Sequence, residues 1–377
     1  MDFDLSTEQQ LLKDSVERFI RDDYDFVRRR AIAEEENGFS AAVWKSFAEL
    51  GWLGMPLPED CGGLGATSVD VMLLMEAFGR GLVIEPYLQS IILGGGLIAE
   101  LGSEPQRETW LPQLASGELR VALASAEPCS RYSLGDIATH AVADGDRWRL
   151  SGHKSVVIGG PHADKYIVSA RTSGEVRDAQ GVSLFVVDRD APGLDRVDGR
   201  GFDRTPVSEL IFDKVDVGAD HLLGPVGEAF PALEHAADRG IAALCAEAVG
   251  AMSVLNDATN EYLKTRKQFG QPIGRFQVLQ HRMVDMYTEL EQTRSLTYLA
   301  TLKLDASYQE RRRAVSAAKA QMGRAGKFVG SQAVQLHGGM GMTDELMVSH
   351  YYKRLMMLDI TLGNREHHLK AFTALTQ

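Results

Sequence analysis

Glu247 has the surroundings of a residue that could do chemistry. On a helix its neighbours one turn away are Ala243, Leu244, Gly250 and Ala251, and Val254 lies two turns on. A carboxylate therefore projects from an apolar face built partly of small residues. Glutamate is rarely buried without a partner. Desolvation raises the pKa of a carboxylate, which suits a general base that cycles between charged and neutral forms. The structural alternative is a buried glutamate paired with an arginine from another helix, and the pattern alone leaves both open.

A second candidate is Arg266-Lys267-Gln268-Phe269-Gly270-Gln271-Pro272-Ile273, which closes one helical run before Phe276-Gln277 opens the next. Taken alone, Gly270 and Pro272 are a helix stop and restart, and Arg266 is a charge suited to a helix C-terminus. Gly338-Gly339-Met340-Gly341 follows a helical run, and Gly62-Gly63-Leu64-Gly65 also lies in a helical part. Neither has the strand, tight turn and helix of a dinucleotide-binding fingerprint, so both read as turns. Cys245 has no histidine at a supporting spacing and reads as a small core residue. His367 and His368 point in different directions on a helix and read as surface residues, not metal ligands.

The elements that must position these residues form three segments: 1–120 helical, 121–228 rich in short strands, and 229–377 helical again in four long runs. Ser6 with Gln9 makes a capping box, and Leu12, Val16, Phe19 and Ile20 mark an apolar helix face. In the middle segment 139–143 and 147–150 flank Asp144-Gly145-Asp146 as a hairpin. Residues 166–168, 182–187 and 210–212 are further strands. No helices separate them, so an antiparallel β-domain is expected rather than a doubly wound sheet. In the last segment Val315, Met322, Val329 and Leu336 recur every seven residues, with Ala318, Ala325 and Gln332 between, as in a bundle with close helix packing.

A chain of 377 residues with 44% hydrophobic composition is long enough for two or three domains with a sizeable core. The net charge of −12 argues against general nucleic-acid binding. Cys61, Cys129 and Cys245 are far apart, with no metal-site or disulfide spacing. No stretch of about 18 apolar residues predicts a membrane span, and the acidic start lacks the features of a signal peptide. A cytoplasmic location is expected.

Taken in order, the segments resemble the acyl-CoA dehydrogenase family over nearly the whole chain. The resemblance rests on Gly51-Trp52-Leu53-Gly54-Met55-Pro56 with Pro58-Glu59-Asp60-Cys61-Gly62-Gly63, on Ala126-Glu127-Pro128, and on Gly152-His153-Lys154. It rests further on Arg266-x-x-Phe269-Gly270 with Phe276-Gln277, and on Gln335-Leu336-His337-Gly338-Gly339-Met340-Gly341. It implies an α+β multi-domain fold: an N-terminal helical domain, a central antiparallel β-barrel-like domain and a C-terminal four-helix bundle. It implies FAD held through Arg266, Phe269, Gln277, Gln335, Gly338 and Gly339, of which Arg266, Gln277, Gln335 and Gly339 reach the FAD of a neighbouring subunit. It implies dehydrogenation of an acyl-CoA thioester to a trans-2-enoyl-CoA, with electrons leaving through an electron-transfer flavoprotein.

The departures from the family pattern generate the sharper expectations. Many members carry the base in a Tyr-Glu-Gly-Thr stretch, where this chain has Leu362 within Ile360-Thr361-Leu362-Gly363-Asn364. A second family solution falls on Gly240, with Asp238 off by two residues. Glu247 lies two turns beyond Gly240 on the same helix face and is the expected base. A family branch acting on steroid side-chain or dicarboxylate thioesters is similar in this respect. Ala126 replaces the family's threonine, and Val156-Val157-Ile158 replaces its Trp-Ile-Thr, side chains that normally touch the flavin. Weak FAD binding by this chain's own β-domain follows as an expectation, and so does assembly either as a homotetramer or as half of an α2β2 heterotetramer with a homologous chain. The alternatives are a non-catalytic or half-site subunit, and a flavin oxidase or monooxygenase on the same fold.

Overall fold

In the computed structural model, residues 5–35 and 38–375 are described. The first segment forms α1 (Thr7–Asp23), α2 (Phe26–Glu34), α3 (Ala41–Glu49), α4 (Ser68–Gly81), α5 (Gly96–Leu101) and α6 (Glu104–Ser116), with a π-helical stretch at Leu88–Gly95 leading into α5. The capping box that opens α1 is present: Ser6 Oγ accepts from Gln9 N and the Gln9 side chain accepts from Ser6 N, both at 3.1 Å. The chain divides into two compact units. One comprises Met1–Ala31, Ser68–Val83 and Ile241–Gln377, and the other Ile32–Thr67 and Ile84–Gly240.

The second unit holds the sheet: β1 (Val121–Ala124), β2 (His140–Asp144), β3 (Arg147–Ile158), β4 (Lys165–Arg171), β5 (Val182–Asp188), β6 (Leu194–Arg200), β7 (Pro206–Gly218) and β8 (Leu222–Leu223). The order is β6-β7-β3-β2-β4-β5-β8, with β1 on β4. The expected hairpin is β2–β3, closed at Gly145-Asp146 with Gly145 at φ +65. The sheet departs from a purely antiparallel one, because β1 runs parallel to β4 and β2 meets β4 in parallel at His140 and Arg171. A parallel pair needs a crossover between its strands, and β2 and β3 supply it for β1 and β4. Strand β6 carries no apolar alternation in Leu-Asp-Arg-Val-Asp-Gly-Arg, as befits a polar edge strand. Along β7 the buried set changes parity from Leu210 and Phe212 to Val215 and Val217 across Lys214, whose φ is +55. A register irregularity against β3 accompanies the change, so a bulge keeps both halves of the strand on the core.

Beyond the sheet come α7 (Phe230–Thr265), the short hairpin β9 (Lys267–Gln268) and β10 (Gln271–Pro272), then α8 (Gln277–Leu302), α9 (Tyr308–His337), α10 (Met347–Ile360) and α11 (Arg365–Ala374). The four helical runs expected here are thus five helices. The last run breaks where Leu362 and Gly363 take φ of +56 and +107, and α11 restarts from Asn364, whose side chain accepts from His367 N at 3.0 Å. This fold-back buries His368 to 1% exposure, with Nε2 3.0 Å from the Leu362 carbonyl oxygen and Nδ1 3.4 Å from Ser316 Oγ. The expectation of two surface histidines is corrected for His368: the turn at 361–364 lays α11 against α9.

The helical unit is assembled through small residues. The heptad stripe of α9 is buried at Val315, Met322, Val329 and Leu336, and between them at Ala318 and Ala325. On another face Gly323, Gly326 and Gly330 meet Asp359, Leu355 and Tyr352, so α10 runs antiparallel along a groove without side chains. Lys319 of α9 is fully buried and caps α10, donating to the carbonyls of Leu358 at 2.6 Å and Asp359 at 2.8 Å. Helices α4 and α7 cross still more closely. A methyl group on Gly79 would stand well under 3.0 Å from the Glu247 carbonyl, and one on Gly250 equally close to that of Glu76. Helix α7 is the one described helix long and apolar enough to cross a membrane by length and composition, and 78% of that apolar window is buried inside the protein.

Gly250→Ala is expected to destabilise the fold by about 1–3 kcal/mol through overpacking at this crossing. Gly339→Ala, where a Cβ meets no atom within 4 Å, should leave the melting temperature nearly unchanged. Thermal and urea unfolding of the two variants checks the contrast.

Candidate functional site

Helix α7 delivers Glu247 into an interior of Ala243, Leu244 and Ala251, and the residue is 3% exposed. Its carboxylate is not buried alone. Arg354 Nε on α10 donates to Oε1 at 2.6 Å, while Oε2 has no hydrogen-bond partner among the described residues. The paired-arginine arrangement left open by the sequence is therefore present, and the same geometry leaves one oxygen of a buried carboxylate unengaged. Sequence reading did not single out Arg354. The available signal was its helix face, because His350, Tyr351 and Leu358, one turn to either side, are all buried.

Around this pair the backbone is fixed from several sides. The Tyr351 hydroxyl donates to the Arg80 carbonyl near the end of α4, and Arg80 Nη1 donates to Ser253 Oγ on α7 at 3.0 Å. Neither family base position offers an acceptor side chain: Leu362 is half-buried and Gly240 is buried. Cys245 is fully buried, and burial pushes its thiol up to about 12, in keeping with a core residue.

The residues expected to hold a flavin gather at one end of the helical unit. Tyr262 of α7 stacks on His337 of α9 with ring centroids 4.4 Å apart, and its hydroxyl donates to the His337 carbonyl at 3.5 Å. Tyr262 is one turn before Arg266, and His337 lies between Gln335 and Gly338, so this contact draws the two motifs together. After Arg266 the chain makes the β9–β10 hairpin, closed by Ile273 N donating to the Arg266 carbonyl at 2.9 Å. Phe269 and Gly270 form its tip with φ of +53 and +79, the signs that a type I′ turn requires at both central positions. The helix stop expected there is thus a hairpin.

Arg266, Phe269, Gln277, Gln335, Gly338 and Gly339 are all exposed, Phe269 to 87%. The side chains of Arg266, Gln277 and Gln335 have no hydrogen-bond partner among the described residues. A Cβ at Gly270, Gly338 or Gly339 would meet nothing within 4 Å. By contrast Gly341, with Val334 O at 2.6 Å from such a Cβ, and Gly63, crowded against the Leu57 backbone, are glycines required by packing. Free donors beside open backbone suit the pyrophosphate of a dinucleotide: a guanidinium grips phosphate oxygens and glycine lets the ligand approach. These residues fit the phosphate end of FAD.

In the sheet unit, the two β-domain motifs are joined by a buried ion pair. Lys154 Nζ, fully buried, donates to Glu127 Oε1 at 2.7 Å and to Ser169 Oγ at 3.0 Å. Glu127 also accepts from Thr139 N at 3.0 Å and Ala138 N at 2.8 Å. Burial pushes the Lys154 ammonium down to about 8 against the pull of Glu127. Burial acts to raise the Glu127 carboxyl, but Lys154 and these donors hold it below the usual carboxylate range. Gly152, at φ +154, packs against Thr139 where a Cβ would clash. Past Lys154 the strand bulges, and Val156 sits at φ +51 with 53% exposure, an unusual conformation for a β-branched residue.

Family models match almost end to end: acyl-CoA dehydrogenase N-terminal domain at residues 6–118, middle domain at 122–215 and C-terminal domain at 230–374. The chain is 30% identical to the probable acyl-CoA dehydrogenase YngJ of Bacillus subtilis over 97% of both chains. Among solved structures it resembles a variant of the Tcur3481-Tcur3483 steroid ACAD, at 31% identity and TM-score 0.88, covering 98% of this chain and 97% of that one. It resembles the FAD complex of PigA at 26% identity and TM-score 0.91 over 100% of both.

Lys154→Met should cost about 3–5 kcal/mol by leaving a buried carboxylate without its counter-charge, and adding Glu127→Gln should recover part of that. Because the Glu127 carboxyl is depressed in the folded state, its contribution is present above the ordinary carboxylate value of 4.5 and is lost as pH falls through the depressed value. Glu127→Gln should accordingly flatten the acid limb of the stability–pH curve, read by urea unfolding between neutral and acid pH.

Proposed function

The chain belongs to the acyl-CoA dehydrogenase family, and on that premise we propose that it dehydrogenates an acyl-CoA thioester at the α and β carbons, with Glu247 as the base. The observation that carries the reading is Glu247 itself: a carboxylate 3% exposed on an apolar face, held at one oxygen and unengaged at the other. Neither Leu362 nor Gly240 can take a proton. In this reading Glu247 receives the α-proton, and Arg266, Gln277 and Gln335 bind the cofactor's phosphates. Phe269 lies against the cofactor, and Gly338 and Gly339 allow close backbone approach. Bound FAD supplies the acceptor for the β-hydride. The product is a trans-2-enoyl-CoA, and an electron-transfer flavoprotein removes the electrons.

Glu247→Gln in folded, flavin-loaded protein should slow flavin bleaching about 10²–10⁴-fold, the usual span for loss of a general base. The substrates are butyryl-, isobutyryl-, octanoyl- and steroid side-chain CoA thioesters under anaerobic conditions. A parent rate in the variant would rule out Glu247 as the base. Arg266→Gln should lower the FAD content of the purified protein without lowering its helicity, measured by visible absorption against circular dichroism.

A second reading concerns assembly. Ala126 and Val156-Val157-Ile158 leave this β-domain without the hydroxyls and indole that the family uses against the flavin ring, while the phosphate-end residues are exposed and unengaged. This favours a chain that completes its site with a different, homologous chain in an α2β2 heterotetramer. The similar steroid ACAD carries a joint designation, Tcur3481-Tcur3483. A flavin-loaded homotetramer formed by this chain alone, seen by native mass spectrometry, would exclude the heterotetramer.

A further inference from the structure

The pair between Glu247 and Arg354 does more than neutralise a buried charge, an inference that rests on Glu247 being the base. Arginine commonly grips a carboxylate with two parallel N–H groups and so occupies both oxygens. Here the grip is one-sided: Nε meets Oε1 at 2.6 Å, and Oε2 has no hydrogen-bond partner among the described residues. A glutamate side chain has three rotatable bonds, and its helix neighbours Ala243, Leu244, Gly250 and Ala251 are all apolar. None of them has a side-chain polar group that could hold the carboxylate in one orientation. The guanidinium, in contrast, comes from a helix held along its length. His350 Nδ1 lies 3.4 Å from Arg29 Nη1, the Tyr351 hydroxyl donates to the Arg80 carbonyl, and Tyr352 and Leu355 seat on Gly330 and Gly326. Glu247 in turn rises from the part of α7 that Gly79 and Gly250 lock against α4. Both ends of the pair are therefore anchored to the same helix, α4.

We propose that Arg354 is a positioning residue, fixing the carboxylate of Glu247 through Oε1 so that Oε2 faces the α-proton of a bound acyl thioester. The α C–H bond breaks and its proton forms an O–H bond with Oε2. The released electron pair becomes the Cα–Cβ double bond as the β-hydride leaves to the bound flavin. Arg354 exchanges no proton.

The test uses flavin-loaded protein, the thioester from the set above that bleaches wild type fastest, and four variants: Arg354→Gln, Arg354→Lys, Glu247→Gln and the double Glu247→Gln/Arg354→Gln. A misplaced base costs on the order of 10²-fold, so Arg354→Gln should slow the limiting bleaching rate roughly 10–100-fold per flavin, with half-saturation changed less than about 3-fold. Arg354→Lys should recover part of the rate. In the Glu247→Gln background, removing Arg354 should cause no further slowing. The melting temperature gives a readout independent of turnover: each single Gln variant should lower it, and the double variant should lose less than their sum. Arg354→Gln protein that melts lower yet bleaches at the parent rate would overturn the positioning role and leave Glu247 as base untouched. Additive rate losses in the double variant would also overturn it. A parent rate in Glu247→Gln would instead remove the base assignment, and this inference with it.

Discussion

The helical unit depends on how closely α4 and α7 approach. Helices ordinarily pack with axes about 8–10 Å apart because side chains keep them separate. At this crossing Gly79 faces the backbone of Glu247 and Gly250 faces that of Glu76, so the main chains touch where side chains would otherwise stand. The carbonyl of Glu247 is itself one side of the contact, so the position of this residue along α7 cannot drift. The same end of α4 receives the Tyr351 hydroxyl, which sets α10 against it and brings Arg354 within 2.6 Å of Glu247. The glycine row of α9 then lets α10 lie close enough to keep that register.

Each compact unit contains charge that has been taken out of water, and at Glu127, Lys154 and Lys319 hydrogen bonds offset that cost. Glu127 and Lys154 sit in the sheet unit with hydrogen bonds from Thr139, Ala138 and Ser169 around them. Lys319 sits in the helical unit on two carbonyls at the end of α10. A buried pair of this kind rarely adds much net stability over an apolar core, but losing one partner is severe. Such groups define which strand and which helix end belong together. Glu247 differs: Arg354 engages Oε1, and Oε2 has no hydrogen-bond partner among the described residues.

At the opposite extreme are the side chains of Arg266, Gln277 and Gln335, exposed and without hydrogen-bond partners among the described residues, near Gly338 and Gly339, where an added Cβ would meet nothing within 4 Å. A hairpin tip carrying an almost fully exposed phenylalanine, with both central residues at positive φ, is a costly feature for an isolated surface. The β-domain supplies the contrast: Val156 is held in an unusual conformation next to the motif lysine, where the family's larger side chain is missing.

Much of this was legible in residue order. Capping at Ser6, the β2–β3 hairpin, the buried stripe of α9 and the apolar face around Glu247 all follow from local periodicity and turn chemistry, which neighbouring residues impose on one another. The family motifs, short and ordered, were legible for the same reason. The sequence could not tell which arginine reaches Glu247, because that contact joins residues 107 positions apart and depends on two glycine-lined helix crossings. Nor could it place His368 inside, since a turn at Leu362 and Gly363 decides which of two adjacent histidines faces α9. It could not foresee β1 running parallel to β4, or the hairpin at Phe269-Gly270 in place of a simple helix stop. Local pattern determines what each segment prefers to be. Which segments meet, and therefore which polar groups are satisfied and which are left free to act, is settled only when the chain closes on itself.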